Sequence, residues 1–349
     1  MMVMKSTNPT RPTAEPEAPD VAIGPPAGPT RGGPVAAKAT ARPRRNRRGN
    51  IVTLLTIALI AALAGHRWVP AAAGIGLVWE SLLPETIVLF ALAALAAILR
   101  RSARAGLWVL IGLAVWSVMF VPTLVSRKPA ASAATTLTVV SQNLNAVNTD
   151  ADAAARALVA TKADVVATEE LGSVSAEPAT AVLNAAYPHS TTASTVGVWS
   201  RYPLTDVTRL DLGMSWDRTL HADLQVPGGD VSLYVVHLPS VRPGVEQARN
   251  RALTALAAAV RADTSPRIVV VGDFNTATFD RNMRQLLAQV QDSRRAAGGG
   301  LGFTWPAKLP VTRPDHVLSK GFEVVSDSVL AAHGSDHRAI LAALRPAAT

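Results

Sequence analysis

Residues 268–275 read IVVVGDFN. A β-branched apolar run of this kind, unbroken by polar residues, is expected as a strand buried on both faces. It stops at Gly272-Asp273-Phe274-Asn275, so the strand would carry a carboxylate and an amide to its C-terminal mouth. A second short string, SDHR at 335–338, sets Asp336 beside His337 just ahead of the last apolar run.

Short β-rich runs recur upstream from Thr135 onward. They are LTVVSQN (137–143), DVVATEE (164–170), VGVWSR (196–201), HADLQV (221–226), VSLYVVHL (231–238), PDHVLSK (314–320) and RAILAAL (338–344). Ala/Leu-rich stretches at 150–162, 177–186, 244–262 and 280–290 have helical spacing. Alternating strands and helices, with near-continuous apolar strands, predict an α/β domain with covered sheets over residues 135–349.

The preceding third of the chain is different. Residues 1–48 are rich in Pro, Gly, Ala and Thr and are expected to be a disordered basic tail, ending in ARPRRNRR. Apolar segments follow at 51–65, 82–99 and 106–125, the last with 20 uncharged residues, the length a bilayer requires. Residues 49–126 therefore read as an anchor of about three transmembrane helices, with 127–134 as a linker. A cleaved signal peptide ending at Ala62-Leu63-Ala64 is the competing reading of the first segment. Arg42, Arg44, Arg45, Arg47 and Arg48 on the tail, and Arg100, Arg101 and Arg104 on the second loop, predict cytoplasmic positions for both. Three spans then put the C-terminal domain outside the cytoplasm, in a multi-pass plasma-membrane protein.

Charge narrows the function classes. The chain carries +9 overall, yet residues 129–349 hold 19 Lys/Arg against 20 Asp/Glu. The basicity belongs to the N-terminal third, so the C-terminal domain lacks the surplus expected of a tight duplex-DNA binder, and no stable nucleic-acid complex is expected. The absence of cysteine excludes disulfides and thiolate metal sites.

The polar residues gather at strand ends: Asn143, Glu169-Glu170, His237, Asp273 and Asn275, Asp315-His316, and Asp336-His337. Each alone has an ordinary structural explanation. Asp273 and Asn275 suit a strand-ending turn, His237 a satisfied core histidine, and Asp336-His337 a loop or cap. Acids, amides and histidines converging on one rim would instead suit metal-assisted attack on a phosphate.

As an ordered set, QNLN, DVVATEEL, SRYPL, VVHLPS, GDFN, PDHVL and SDHR resemble the endonuclease/exonuclease/phosphatase superfamily, the fold of DNase I-like nucleases, inositol-phosphate phosphatases and neutral sphingomyelinases. The likeness covers about residues 135–345. It implies a four-layer sandwich of two packed β-sheets flanked by helices. It implies Mg²⁺ (or Mn²⁺) ligation by Glu170 with Asn143 beside it, and support of the metal or of the His337 ring by Asp336. Asn145 lies near enough to compete with Asn143. Asp273 would orient or deprotonate the attacking water, and Asn275 would hold a phosphate oxygen. His237 and His337 would face the scissile phosphate, and Asp315 would orient one of them. Arg218, in DRTLHADL, is a candidate phosphate contact with a surface ion pair as its alternative. The family often has Gln before the metal Glu, whereas Glu169 stands there in this chain. A three-span anchor ahead of such a domain also resembles actinobacterial VanJ-type teicoplanin-resistance proteins. That narrower resemblance implies a lipid-linked substrate, a polyprenyl (undecaprenyl) pyrophosphate of cell-wall synthesis. The competing reading is an extracytoplasmic nuclease using the same residues, and a third is a non-catalytic membrane protein. Nothing in the sequence sets the oligomeric state.

Overall fold

The computed structural model describes Gly24 and residues 47–70, 74–127, 136–214, 216, 218–240 and 246–347. The expected disordered tail and linker fall almost wholly outside the described residues.

Two six-stranded mixed sheets form the C-terminal domain. The first has the order β11-β12-β1-β2-β4-β3, built from β1 (Leu137–Asn143), β2 (Val165–Glu169), β3 (His189–Ala193), β4 (Val196–Ser200), β11 (Phe322–Val329) and β12 (Ile340–Pro346). The second has the order β5-β6-β7-β8-β10-β9, from β5 (Leu204–Arg209), β6 (Thr219–Leu224), β7 (Val231–His237), β8 (Ile268–Asp273), β9 (Gln291–Asp292) and β10 (Asp315–Lys320). Only β1/β2 and β7/β8 pair in parallel.

The sheets pack face to face on a core that includes Val139, Val165 and Val198 from the first and Leu233, Val269 and Val271 from the second. Alternate residues of the same strands point outward and are covered too. Val140, Val166 and Trp199 pack under α5 (Ala151–Ala160) and α6 (Ala176–Ala186). Tyr234, Val236, Ile268 and Val270 pack under α7 (Glu246–Ala262) and α8 (Arg284–Leu287). Burial on both faces explains why β2, β4, β7 and β8 carry no exposed position. The result is the helix–sheet–sheet–helix layering expected from the sequence. One expected helix, 280–290, is a 3-10 turn at Arg281–Met283 followed by the four-residue α8.

Among the described residues four α-helices precede the sandwich: α1 (Arg47–Ala64), α2 (Ile75–Ser81), α3 (Thr86–Leu99) and α4 (Ala103–Leu124). Among the described residues only α4 is long and apolar enough to cross a bilayer alone. The pair α2 and α3 passes together but is bent by 79°, and Gly49–Ala64 is a shorter apolar helix. Helices α1, α3 and α4 pack on one another around Leu63, Phe90, Trp116 and Phe120. Gly112 permits the α3/α4 approach, since a Cβ there would lie 2.1 Å from the Phe90 ring. Their other faces expose Leu54, Leu55, Val88, Leu92, Leu95, Ile98, Leu110 and Val118.

The helices are fastened to the sandwich. Phe120 meets Phe279 edge-on at 4.8 Å. The Arg127 amide donates to the carbonyl of Ala297, the last residue of α9 (Ser293–Ala297), at 2.6 Å. Arg281 donates from its backbone N and its Nε to the buried Glu80 carboxylate, each at 3.0 Å.

Candidate active site

Topology delivers the polar strand ends to one rim. The parallel pairs set Asn143 beside Glu169 and His237 beside Asp273. The antiparallel partner β10 begins opposite β8's end, with Asp315 in register with Asp273. The loop into β12 brings His337 to the same place.

Asp273 is the hub. Its Oδ2 accepts from Asn143 Nδ2 at 3.1 Å and Asn275 Nδ2 at 3.2 Å, and lies 3.9 Å from Nε2 of both His237 and His337. Its Oδ1 accepts from the Asn275 amide at 2.8 Å, a tight turn in which Asn275 takes φ 48°. Gly272 ahead of it has φ 134°, and a Cβ there would lie 2.1 Å from the Val236 carbonyl oxygen. The glycine of GDFN is therefore what lets β8 reach the rim beside β7.

His337 is held by Asp315, whose Oδ2 and Oδ1 lie 3.0 and 3.2 Å from Nδ1. Thr304 Oγ1 donates to Asp315 from behind. Ser335 Oγ donates to the Asn143 carbonyl at 2.6 Å and accepts from the His337 amide at 3.0 Å, tying the loop to β1. Ser335 and Thr304 were not foreseen as supports; the Ser of SDHR was the available signal.

The two histidines are driven apart electrostatically. Burial, then the charges of Arg218 and His337, lower His237 to about 3, so its ring is neutral. Burial acts the same way on His337, but Asp315 and Asp273 outweigh it and raise that ring to about 10. Environments that separate like groups in this way mark acid–base sites. Asp273 is raised to about 7, chiefly by burial, with His337 opposing and Asp315 adding to the rise.

The expected metal set arrives in two parts. Glu170, at φ 55°, lies on the wall, with Oε1 3.6 Å from His237 Nε2 and Oε2 accepting from the Ala146 amide at 3.3 Å. Asn143 is buried below it, with Oδ1 accepting from the Asn145 amide. Asp336 is exposed and lines the cleft, bonded by Asn145 Nδ2 at 3.0 Å and Trp305 Nε1 at 3.3 Å. Asn145 thus binds Asp336 rather than joining the buried group. The metal-competent cluster among the described residues is Asp273, Asp315 and His337.

Glu169 is fully buried, with Ser141 Oγ donating to Oε1 at 3.0 Å and no partner for Oε2 among the described residues. Burial, then the charges of Asp315 and Asp273, push it well above the usual carboxylate range. Several carboxylates thus gather at one buried spot with few cations to offset them. Such a surplus of hard oxygen donors, without sulfur, fits a divalent cation such as Mg²⁺ or Mn²⁺.

Two other expectations resolve plainly. His316 points into the core, with Nε2 2.7 Å from the Thr276 carbonyl and its ring edge-on to Phe274. Arg218 lines the cleft and stacks on Trp216, 4.4 Å from the ring centroid.

Above the hub opens a cleft of about 1210 Å³, with Asp273, His237 and His337 on its floor. Its walls include Met214, Trp216, Trp305 and Val311, and also Val78 and Leu82 from the helical module.

A family model described as "Endonuclease/Exonuclease/phosphatase family" matches residues 140–337, which span every strand end above. Among solved structures, the endonuclease/exonuclease/phosphatase from Bacteroides vulgatus is similar at 17% identity and TM-score 0.53, covering 61% of this chain and 100% of that one. D. rerio TDP2 complexed with single strand DNA product is similar at 18% identity and TM-score 0.53, covering 60% and 99%. Truncated Caenorhabditis elegans TDP2 is similar at 19% identity and TM-score 0.52, covering 60% and 97%. At these identities the likeness is one of fold. No curated protein matches the chain.

Proposed function

We infer the activity from one premise: the chain belongs to the endonuclease/exonuclease/phosphatase family, whose members hydrolyse phosphoester bonds. The reading is a membrane-anchored, metal-dependent phosphoesterase with its site outside the cytoplasm. Its substrate is a lipid-borne phosphate, of which a polyprenyl (undecaprenyl) pyrophosphate of cell-wall synthesis, with a role in teicoplanin resistance, is the specific form. The observation that carries it is the single cleft that joins the Asp273 hub to Val78 and Leu82 of the helical module.

In hydrolysis a water oxygen bonds to phosphorus as the bond to the leaving oxygen breaks. Asp273 is the base that orients this water and takes its proton, and a carboxylate near 7 is matched to that task at neutral pH. His337, a cation fixed by Asp315, offers Nε2–H to the phosphoryl or leaving oxygen, where negative charge grows. Neutral His237, whose Nε2 lies 3.9 Å from the same Asp273 oxygen, offers a second N–H, and Asn275 steadies a non-bridging oxygen. A metal held by Glu170 and Asn143 would supply Lewis-acid polarisation of the phosphoryl oxygen when bound.

The helices support anchoring. The C-terminal ends of α1 and α4 and the start of α3 lie at the sandwich, since Arg281 reaches the carbonyls of His66 and Val69 and Gly300 bonds Thr123. This arrangement is compatible with spans running outward, inward and outward, with Arg100, Arg101 and Arg104 at the far, cytoplasmic end. Gly49–Ala64 measures about 24 Å at 1.5 Å per residue, short of a core of about 30 Å, so α1 would need local thinning or tilt of its neighbours.

A nuclease is the second reading, favoured by the fold likeness to D. rerio TDP2, which is complexed with a single strand DNA product. The near-neutral catalytic domain and the apolar cleft walls weigh against it. Phosphate release from polyprenyl pyrophosphate by the full chain, abolished by EDTA and restored by Mg²⁺, tests the first reading. Cleavage of DNA with no release would overturn it.

A further inference from the structure

The apolar wall of the cleft has no task in phosphate chemistry. Val78, Leu82, Trp216 and Trp305 stand 52%, 38%, 54% and 40% exposed around the mouth of a polar site. Large apolar side chains gathered at one opening mark a surface that takes an apolar ligand.

Helix α2 is held there by its opposite face. Val78 and Leu82 are four residues apart and share one side of the helix, while Glu80 points away from them. The Glu80 carboxylate is buried and receives Arg281 Nε at 3.0 Å, the Arg281 amide at 3.0 Å and His66 Nδ1 at 3.1 Å. Arg281 Nη2 donates further to the carbonyls of Val69 at 2.8 Å and His66 at 3.1 Å. This cluster joins α1, α2 and the sandwich, and presents Val78 and Leu82 to the cleft. From Leu82 the chain passes directly into α3, whose Val88, Leu89 and Leu92 are exposed. Exposed apolar side chains thus stand both at the cleft, on Val78 and Leu82, and on the next helix of the module.

We propose that α2 forms one wall of a groove for the apolar chain of a lipid phosphate, with the chain lying between Val78 and Leu82 on one side and Trp216 and Trp305 on the other. The phosphate then rests over Asp273, His237 and His337. The helical module is, on this view, part of the substrate site, and selection of chain-bearing phosphates over bare head groups resides in α2. The proposal rests on the phosphoesterase reading above and adds where its substrate's chain binds.

The test uses the full chain in lipid nanodiscs with Mg²⁺ and two prenyl pyrophosphates, one of five carbons and one long. Leu82→Ser, Val78→Ser and, from the opposite wall, Trp305→Ala are compared with the parent protein. The expected result is a fall of about 10–50-fold in kcat/KM for the long substrate relative to the short one, the size set by burying one or two aliphatic side chains. An unchanged ratio in all three variants would overturn the groove. A second readout separates this from failure of the phosphoesterase reading. A long polyprenyl alcohol bearing a photoactivatable diazirine should label α2 or the segment around Trp305, even if the parent hydrolyses neither pyrophosphate. Labelling confined to the outer faces of α3 and α4 would overturn the groove whatever the activity.

Discussion

His337 Nδ1 lies 3.0 Å from Asp315 Oδ2, and both groups are buried at the floor of the cleft. The pair fixes the ring so that Nε2 faces Asp273 and the space above it. A buried imidazole left alone would be neutral at physiological pH. Beside Asp315 and Asp273 it is a cation.

The charge state of His337 is therefore a measurable consequence. Its pKa is raised from 6.5 to about 10, so the cation's stabilising contribution is complete below 6.5 and is lost as pH rises through about 10. In metal-free protein, ¹⁵N imidazole shifts should report a cationic ring from pH 7 to 9. Asp315→Asn removes the largest raising charge, leaves burial dominant, and should yield a neutral ring over that range. Identical titrations in the two proteins would contradict the pairing.

Asp273→Asn should separate stability from catalysis. The folded protein already disfavours the Asp273 anion, since burial raises that group to about 7. Loss of charge should cost at most about 1–2 kcal/mol of stability, through imperfect bonds to Asn143 and Asn275. The hydrolysis rate should fall by about 10²–10⁴-fold. Thermal melts and initial rates on the same preparations check both.

Gly272→Ala should damage the site without touching a polar group. At φ 134°, with the Val236 carbonyl 2.1 Å from the new Cβ, the β8 backbone must move. Strain of this kind costs about 1–3 kcal/mol, and the movement displaces Asp273 itself. Activity should drop well beyond what the change in melting temperature explains.

Beneath the site, Asp292 is buried with Arg313, and His316 Nδ1 lies 3.5 Å from it. Burial alone would raise this carboxyl, but Arg313 and His316 hold it far below the usual range. Its contribution is thus present above pH 3.8 and fades only in strong acid. Arg313→Met strands the carboxylate and should cost about 3–5 kcal/mol in chemical denaturation. The double change Arg313→Met with Asp292→Leu should recover part of that loss.

How legible the fold was depended on position in the sheet. Central strands such as VSLYVVH and IVVVGD are covered on both faces, so their composition announces them. The four strands not foreseen, β3, β5, β9 and β11, are the four sheet edges. HSTTA, LTDVTR and FEVVSDSV are polar or alternating because an edge faces water and is kept from pairing further. At the site, Asn143, His237, Asp273, Asn275, Asp315 and His337 were readable because each lies at a strand end or within a quoted motif. Asp336, expected to support the metal or the His337 ring, lines the same cleft as His337 but is exposed where the histidine is buried. The role of α2 was hidden, since Glu80 and Arg281 are 201 positions apart and only the fold joins them.

The deciding measurement compares two substrates on one preparation of the full chain with Mg²⁺: phosphate release from a long polyprenyl pyrophosphate, and nicking of supercoiled plasmid DNA. The prediction is metal-dependent release, reduced at least 10²-fold by both Asp273→Asn and His337→Ala, with little or no nicking. Plasmid cleavage without phosphate release, or release that survives both substitutions, would contradict a lipid phosphoesterase acting through this site.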